Sequence, residues 1–226
     1  MTEPNHATVR ELFNDMLSLK DESTENFNFT LDEFTAIFRK YSGNLNVAVE
    51  ANTSDDVDFN TVVITGDYDP DAEFLDGAAI VIHINFNTEQ ETICFADLDW
   101  PALCREMIST VGHEIIRRQE YRNRNYDIPA VIYGSKKSYG HMLEIKEFLG
   151  NVDEIEAFGY NIALEVFLKY GTNHAMNGKK ALDTPVAKTY IKTFGYDHPI
   201  TKMVLQSSIR YYTYLVSSEK KLNAVS

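Results

Sequence analysis

The sequence predicts an α+β fold in which a small sheet is followed by a mostly helical C-terminal half. Between residues 45 and 95, short runs of apolar residues alternate with polar ones, which is typical of half-buried strands. From residue 99 onward, apolar residues recur every three or four positions, which is typical of amphipathic helices. Strands that precede the helices, rather than alternating with them, favour an α+β layout.

The individual elements follow from local patterns. Two helices come first, over residues 6–19 and 30–41, and Thr30 and Glu33 form a capping box at the second. The predicted strands are residues 45–49, 62–64 and 78–86, with a short fourth at 93–95 and an acidic hairpin loop at 67–77. The later predicted helices are residues 99–122, 141–148, 151–170, 184–194 and 199–216, with residues 126–139 irregular. Neither a repeat nor a Pro/Gly-rich linker divides the chain, so we expect a single domain over residues 1–226.

Composition restricts the classes of partner and compartment. The 226 residues carry a formal net charge of −13, and the sequence pI is about 4.8. Such a surface repels nucleic acid and anionic lipid, so we expect neither nucleic acid nor membrane as a partner. Two cysteines are too few for a disulfide framework and indicate a reducing compartment. No secretory signal and no apolar stretch of membrane-spanning length is present, which predicts a cytoplasmic protein.

One segment of the long helix combines residue types suited to zinc chemistry. In a His-Glu-x-x-His motif, two imidazoles four residues apart bind one zinc ion, and the glutamate deprotonates a metal-bound water. Here His113 and Glu114 are present, but Arg117 occupies the second histidine position, where a protonated guanidinium cannot be a ligand. The helical period places His113 and Arg117 on one face, turned away from the apolar stripe, with Glu114 at the margin of that stripe. The stripe consists of Trp100, Cys104, Met107, Ile108, Val111 and Ile115.

Two further features connect this helix with zinc peptidases of the zincin class. The strand at residues 78–86 comes just before the helix, as the edge strand does in zincins. Downstream, Glu154 is followed three residues later by Ala157. In zincins with a glutamate as third ligand, a small residue at this spacing lets the two helices approach closely.

On these residues the sequence resembles the zincin-like, metallopeptidase-like proteins of tailed, T4-like marine bacteriophages. In that family a helix ending in His-Glu-x-x-His, followed by basic residues and a glutamine, precedes a Tyr-Leu-x-x-Pro-x-Glu-Ile-x-Ala segment. The counterparts here are residues 113–119 and 148–157, and residues 194–200 are also similar. The resemblance covers residues 78–214.

The resemblance implies a zincin-like fold in which His113 and Glu154 are metal ligands and Glu114 is the catalytic base. Because Arg117 replaces a ligand, we expect a catalytically degenerate relative without a cofactor that acts as a binding protein or a structural component of the virion. Its partner would be another virion protein or a host protein, and its location the cytoplasm of the infected cell or the virion. The alternative is an active hydrolase that uses His113, Glu114 and Glu154 with Zn²⁺.

Arg117 also suggests what replaces the metal. Without zinc, Glu114 and Glu154 would leave two carboxylates together in a partly buried cleft, where like charges raise each other's pKa. A guanidinium at the vacated position carries a permanent positive charge and can bind a carboxylate at two points. We therefore expect Arg117 to pair with Glu154, or with Glu114, in place of the ion.

Simpler explanations compete with each assignment. His113 would then be a surface histidine, and Glu154 the N3 residue of a capping box that begins at Asn151. The loop at residues 67–77 lacks the glycine and the final glutamate of a calcium loop, so we expect a solvated hairpin loop. Four other histidines have no spacing that points to the site: His83, His141, His174 and His198.

A basic strip follows the motif and supports a third reading. The strip consists of Arg117, Arg118, Arg122 and Arg124, with Lys136 and Lys137 nearby. It is either a solvated helix face paired with local glutamates or the surface through which a small regulator binds a host protein.

Overall fold

The protein has the α+β fold that the sequence predicts. The computed structural model describes residues 6–22, 28–42, 45–74, 78–127, 141–172, 176 and 178–223. The chain divides into two compact units, unit 1 (Met1–Glu114) and unit 2 (Ile115–Ser226), and the boundary falls within one continuous helix. Across the described ranges, no helix is long and apolar enough to cross a membrane.

Unit 1 contains all the described strands. Its elements are α1 (His6–Glu22), β1 (Asn28–Thr30), α2 (Leu31–Ser42), β2 (Val47–Ser54), β3 (Val63–Tyr68), β4 (Ile80–Asn87), β5 (Thr92–Cys94) and the first part of α3 (Trp100–Asn123). The predicted capping box is confirmed, because the Thr30 N–H donates to Glu33 Oε2 at 2.9 Å and the Glu33 N–H donates to Thr30 Oγ1 at 3.2 Å. The pKa of the Glu33 carboxyl is lowered, first by the hydrogen bond from the Thr30 N–H and then by one that the Thr30 hydroxyl donates to Glu33 Oε2 at 2.9 Å.

The main sheet has the strand order β2-β4-β3, with β4 parallel to β2 and antiparallel to β3. The strand predicted at residues 78–86 is therefore central, and the expectation of an edge strand there was wrong. Its inward side chains agree with a central position, since all four are fully buried: Ile80, Ile82, Ile84 and Phe86. The predicted fourth strand, β5, pairs with β1 in a separate two-stranded sheet. β1 was missed because three residues with a mostly polar pattern give no strand signal.

Side chains from two helices cover the edges of the main sheet. Arg39 of α2 donates from Nε to the Val49 carbonyl of β2 at 2.8 Å. At the opposite edge, the carboxylate of Glu106 on α3 accepts a hydrogen bond from the Ile64 N–H of β3. Capping of outward backbone groups in this way limits pairing of the edge strands with other chains.

An aromatic cluster forms the centre of unit 1. Phe34 makes edge-to-face contacts with Phe38, Phe86 and Trp100, and the rings of Phe95 and Trp100 are 4.6 Å apart. The Trp100 indole N–H donates to the Met16 carbonyl of α1 at 2.7 Å, which satisfies its only polar group inside the core. Trp100, which begins α3, therefore ties that helix to the rest of unit 1.

The described elements of unit 2 are all helices. It contains the end of α3 and then α4 (His141–Leu149), α5 (Val152–Tyr170), α6 (Gly178–Leu182), α7 (Pro185–Phe194) and α8 (Pro199–Asn223). The five-residue α6 was not predicted, because a single helical turn has no periodic pattern. Residues 128–139 of the segment expected to be irregular lie outside the described residues. α5 and α8 approach so closely that a Cβ on Gly159 would lie 2.5 Å from Ser207 Cβ.

Candidate functional site

The candidate residues lie along α3 and at the start of α5. His113 and Glu114 end the part of α3 that belongs to unit 1, and they are only 8% and 3% exposed. His113 is therefore not a surface histidine. A helical wheel identifies the most apolar face of a helix, but it does not show that other faces are buried as well. Within the predicted stripe, Ile115 is only half-buried, whereas Ile116 is 1% exposed.

Glu114 packs against the edge strand β3. A Cβ on Gly66 would lie 2.8 Å from Glu114 Cγ and 2.8 Å from Thr110 Cγ2, and 3.1 Å from a carboxylate oxygen of Glu114. A side chain at residue 66 fits only if the side chains of Glu114 and Thr110 shift. The expected catalytic base therefore lies directly beside the backbone of β3.

In unit 2, Arg117 forms an ion pair with Glu154. Arg117 Nε lies 3.0 Å from Glu154 Oε1, and the two side chains are 25% and 3% exposed. An almost fully buried carboxylate is costly unless a positive charge or hydrogen bonds compensate it. The guanidinium at the histidine position of the motif supplies that charge.

The start of α5 presents two acidic residues to α3. The Asn151 side chain caps the helix by accepting from the Asp153 N–H at 2.9 Å, as the sequence predicts. In a capping box the Asn151 N–H would donate to the carboxylate of Glu154. Here it donates to the Phe148 carbonyl at 3.0 Å instead. Glu154 is directed to Arg117, and its negative charge adds to burial in raising the pKa of Tyr190.

A second buried ion pair lies two helical turns along α3. The guanidinium of Arg124 contacts both carboxylate oxygens of Asp153, with Nη2 2.6 Å from Oδ2. Asp153 has 3% of its side chain exposed and Arg124 has 26%. Two-point contacts of this kind are among the stronger charge-assisted interactions in proteins. This pair gives Arg124 a structural role in unit 2.

A third carboxylate, Glu120, lies between the two arginines in sequence. Its pKa is raised, first by burial and then by the negative charges of Glu156 and Asp153, and the arginines Arg124 and Arg210 oppose this rise. Arg210 of α8 in turn contacts Glu156 of α5, which also accepts from the Ser207 hydroxyl at 3.0 Å. Charged side chains therefore join α3, α5 and α8 in a network within unit 2.

The sequence predicts the contact of Arg117 with Glu154, and the structure has it, but the sequence reasoning missed the partner of Arg124. The basic strip is expected to be a solvated face paired with local glutamates or to bind a partner, whereas its member Arg124 contacts the buried carboxylate of Asp153. The spacing of seven residues between Arg117 and Arg124 was an available signal, since it places both on one face of α3. The adjacent acidic residues Asp153 and Glu154 supplied the complementary signal. Lys136 and Lys137 lie outside the described residues.

The other histidines occupy separate positions. His83, on the outer face of the main sheet, has Nε2 3.2 Å from Asp67 Oδ2 and Nδ1 2.9 Å from Asn52 Nδ2. His198 stacks on Phe194 and accepts from the Ile200 N–H at 3.3 Å. The side chains of His141 and His174 lie outside the described residues.

In the acidic hairpin loop, the Asp71 N–H donates to Asp69 Oδ1 at 2.9 Å, which forms a turn ahead of a short 3₁₀ helix.

The described residues contain no group of three or more His, Cys, Asp and Glu side chains arranged to hold a metal ion. Comparisons with protein-family models, with curated proteins and with solved structures find no match for this chain.

Proposed function

We propose that this protein is a catalytically inactive relative of phage zincin-like metallopeptidases that acts by binding another protein, in the virion or in the infected cell. The observation that carries the proposal is the ion pair between Arg117 and Glu154, with Arg117 Nε 3.0 Å from Glu154 Oε1. In the family that the sequence resembles, both of these positions are metal ligands. Here one of them carries a cation that compensates the other.

The residues present do not fit a zinc ion. A catalytic zinc site takes three protein ligands, and the resemblance leaves only His113 and Glu154 at ligand positions. A zinc ion at Glu154 would also have to displace a guanidinium that already neutralises this carboxylate, and a displaced arginine would repel the metal. We therefore derive no catalytic step through a metal.

The second candidate function is an active zinc hydrolase in which Glu114 is the general base. Burial of His113 and Glu114, at 8% and 3% exposure, is the observation that favours it, because catalytic acids and bases are commonly held in buried surroundings. This candidate needs a third ligand in addition to His113 and Glu154.

Zinc content separates the two candidates. The protein is purified without chelators, and bound zinc is measured by mass spectrometry and by titration calorimetry for the wild type, Arg117→His and Arg124→His. The third protein is a matched control, because it also exchanges an arginine that pairs with a buried carboxylate of α5 for a histidine, but does not restore the motif.

We expect the wild type and Arg124→His to hold far less than one zinc per chain, and Arg117→His to gain zinc affinity that is lost again in Arg117→His with Glu154→Gln. Tight one-to-one zinc in the wild type, lost in His113→Ala, would instead establish the hydrolase. If Arg117→His gains no more zinc than Arg124→His, the relation to a zinc site is wrong.

A further inference from the structure

The charge of the chain is distributed unequally between its two units. Residues 1–114 contain 23 Asp and Glu against 5 Lys and Arg, whereas residues 115–226 contain 11 against 16. The formal charges of the units are therefore −18 and +5, within a total of −13. Two copies of this chain accordingly offer each other surfaces of opposite sign, which favours oriented encounter.

The acidic end of the main sheet is an ordered surface on unit 1. It consists of two loops that carry Asp55, Asp56, Asp58, Glu89 and Glu91, with Phe59 among them. Hydrogen bonds join the loops, because Asn87 donates to the Val57 carbonyl at 2.6 Å and the Asn60 N–H donates to Gln90 Oε1 at 3.0 Å. The Phe59 side chain is 59% exposed, so an apolar ring stands among exposed carboxylates.

The lysine patch on unit 2 has the opposite charge. It consists of Lys169 at the end of α5, Lys179 and Lys180 on α6, and Lys188 on α7. Lys180 Nζ and Lys169 Nζ lie 4.5 Å and 5.4 Å from the centre of the Tyr170 ring. A hydrogen bond from Lys188, followed by the positive charges of Lys188, Lys169 and Lys179, lowers the pKa of the nearby Asp183 carboxyl.

A small depression lies beside the patch. Its volume is about 10 Å³, room for about one water molecule, and its lining combines Val166 and Tyr170 with Lys169, Lys180, Glu165 and Asp183. Protein interfaces commonly combine an aromatic anchor with a charged and polar rim. Phe59 stands among exposed carboxylates and Tyr170 stands beside two lysines, so the two surfaces are complementary in charge and each offers an aromatic ring.

We propose that the lysine patch of one molecule docks the acidic end of the main sheet of a second copy of this chain, with Phe59 against the ring of Tyr170. The contact joins two different surfaces, so each molecule keeps one surface available for a further copy. Head-to-tail oligomers therefore grow with protein concentration and dissociate as salt screens the charges. This inference concerns other residues than Arg117 and Glu154 and does not depend on the proposed function.

Sedimentation at increasing protein concentration tests the proposal on the full chain. In buffer of low ionic strength, we expect the wild type to form dimers and longer species that disappear in 0.5 M salt, where the Debye length is only a few ångströms. Phe59→Ala should weaken association by about tenfold, since it removes the proposed anchor. A wild type that stays monomeric at low salt overturns the proposal.

Two charge-reversed proteins identify the surfaces. One carries Asp56→Lys with Asp58→Lys, and the other carries Lys169→Glu with Lys179→Glu. Each alone should be monomeric, because like charges then face each other in every head-to-tail contact. Their mixture should form a one-to-one dimer and nothing longer, since each retains the surface that the other has lost.

Exposed residues outside both surfaces provide the controls. Asp15→Lys and Lys220→Glu change charge by the same amount per residue on α1 and α8 and should leave self-association within about twofold of the wild type. Circular dichroism confirms that all variants are folded. Self-association of either charge-reversed protein alone at the wild-type level, or a mixture that remains monomeric while the wild type associates, overturns the assignment of these surfaces.

Discussion

Gly66 on β3 and Glu114 on α3 are in direct contact, since a Cβ on Gly66 would lie 2.8 Å from Glu114 Cγ. The backbone of an edge strand thereby determines the position of the glutamate that the motif identifies as a catalytic base. A side chain at residue 66 would have to displace both Glu114 and Thr110. The contact links the motif on the helix to the sheet of unit 1.

Gly66→Ala should therefore lower the free energy of unfolding by about 1–3 kcal/mol, as overpacking of a close contact does. The measurement is chemical denaturation followed by circular dichroism. Gly178→Ala is the matched control, because no atom lies within 4 Å of a Cβ at that position. Equal stability of the two variants would show that Glu114 and Thr110 move aside without cost.

Arg117→Ala should destabilise the protein by about 3 kcal/mol, because it leaves the carboxylate of Glu154 buried without its cation. Arg117 is one quarter exposed, so we expect the low end of the range for buried pairs. A double-mutant cycle with Glu154→Gln measures the coupling, and the second substitution should recover part of the loss. A coupling free energy near zero would mean that solvent, and not Arg117, compensates Glu154.

Arg124→Lys tests whether the contact with Asp153 depends on two points of attachment. Lysine keeps the charge but cannot reach both carboxylate oxygens in one plane, so we expect a loss of about 1–2 kcal/mol in thermal or chemical unfolding. Lys192→Arg on an exposed position of α7 is the reverse exchange and should change stability by less than about 0.5 kcal/mol. A loss no larger than that of this control would reduce the pair to a simple charge attraction.

Glu120→Gln should make the protein more stable than the wild type at neutral pH. Burial, Glu156 and Asp153 raise the pKa of Glu120 in the folded state, so folding favours its protonated form. The stability that protonated Glu120 contributes is complete below its unfolded pKa and is lost as pH rises through the raised folded pKa. The advantage of Glu120→Gln should thus be absent near pH 4, grow with pH through this window and then level off.

Denaturation of both proteins at matched pH values measures this difference and removes contributions from other groups. The neighbouring control Glu147→Gln replaces an exposed glutamate of α4 and should show no such dependence on pH. An advantage that is constant from pH 4 to pH 8 would indicate a packing effect of the amide rather than a shifted pKa.

Local patterns predicted most of the helices and strands, although their ends and pairing needed the structure. The capping box of Thr30 and Glu33 is an example, since all its groups lie within four residues and form the predicted hydrogen bonds. β1 was missed because its three residues are mostly polar, and α6 was missed because five residues have no measurable period. The central position of β4 could not be read from its alternation, because strand order depends on pairing with segments far away in the chain.

By itself, the sequence determined the α+β class, the N-cap at Asn151, and the presence of a positive charge where the motif has a histidine. These features depend on residues within one or two helical turns of each other. Only the tertiary structure decided that Glu114 is adjacent to Gly66, that Arg124 contacts Asp153, and that Glu120 shares a network with Glu156. The two residues in each of these relationships are at least 29 positions apart in the chain. Their contact therefore depends on how the faces of different elements pack. Burial then determines the energetic importance of each charge, because the same carboxylate that water compensates on the surface requires a nearby cation inside the protein.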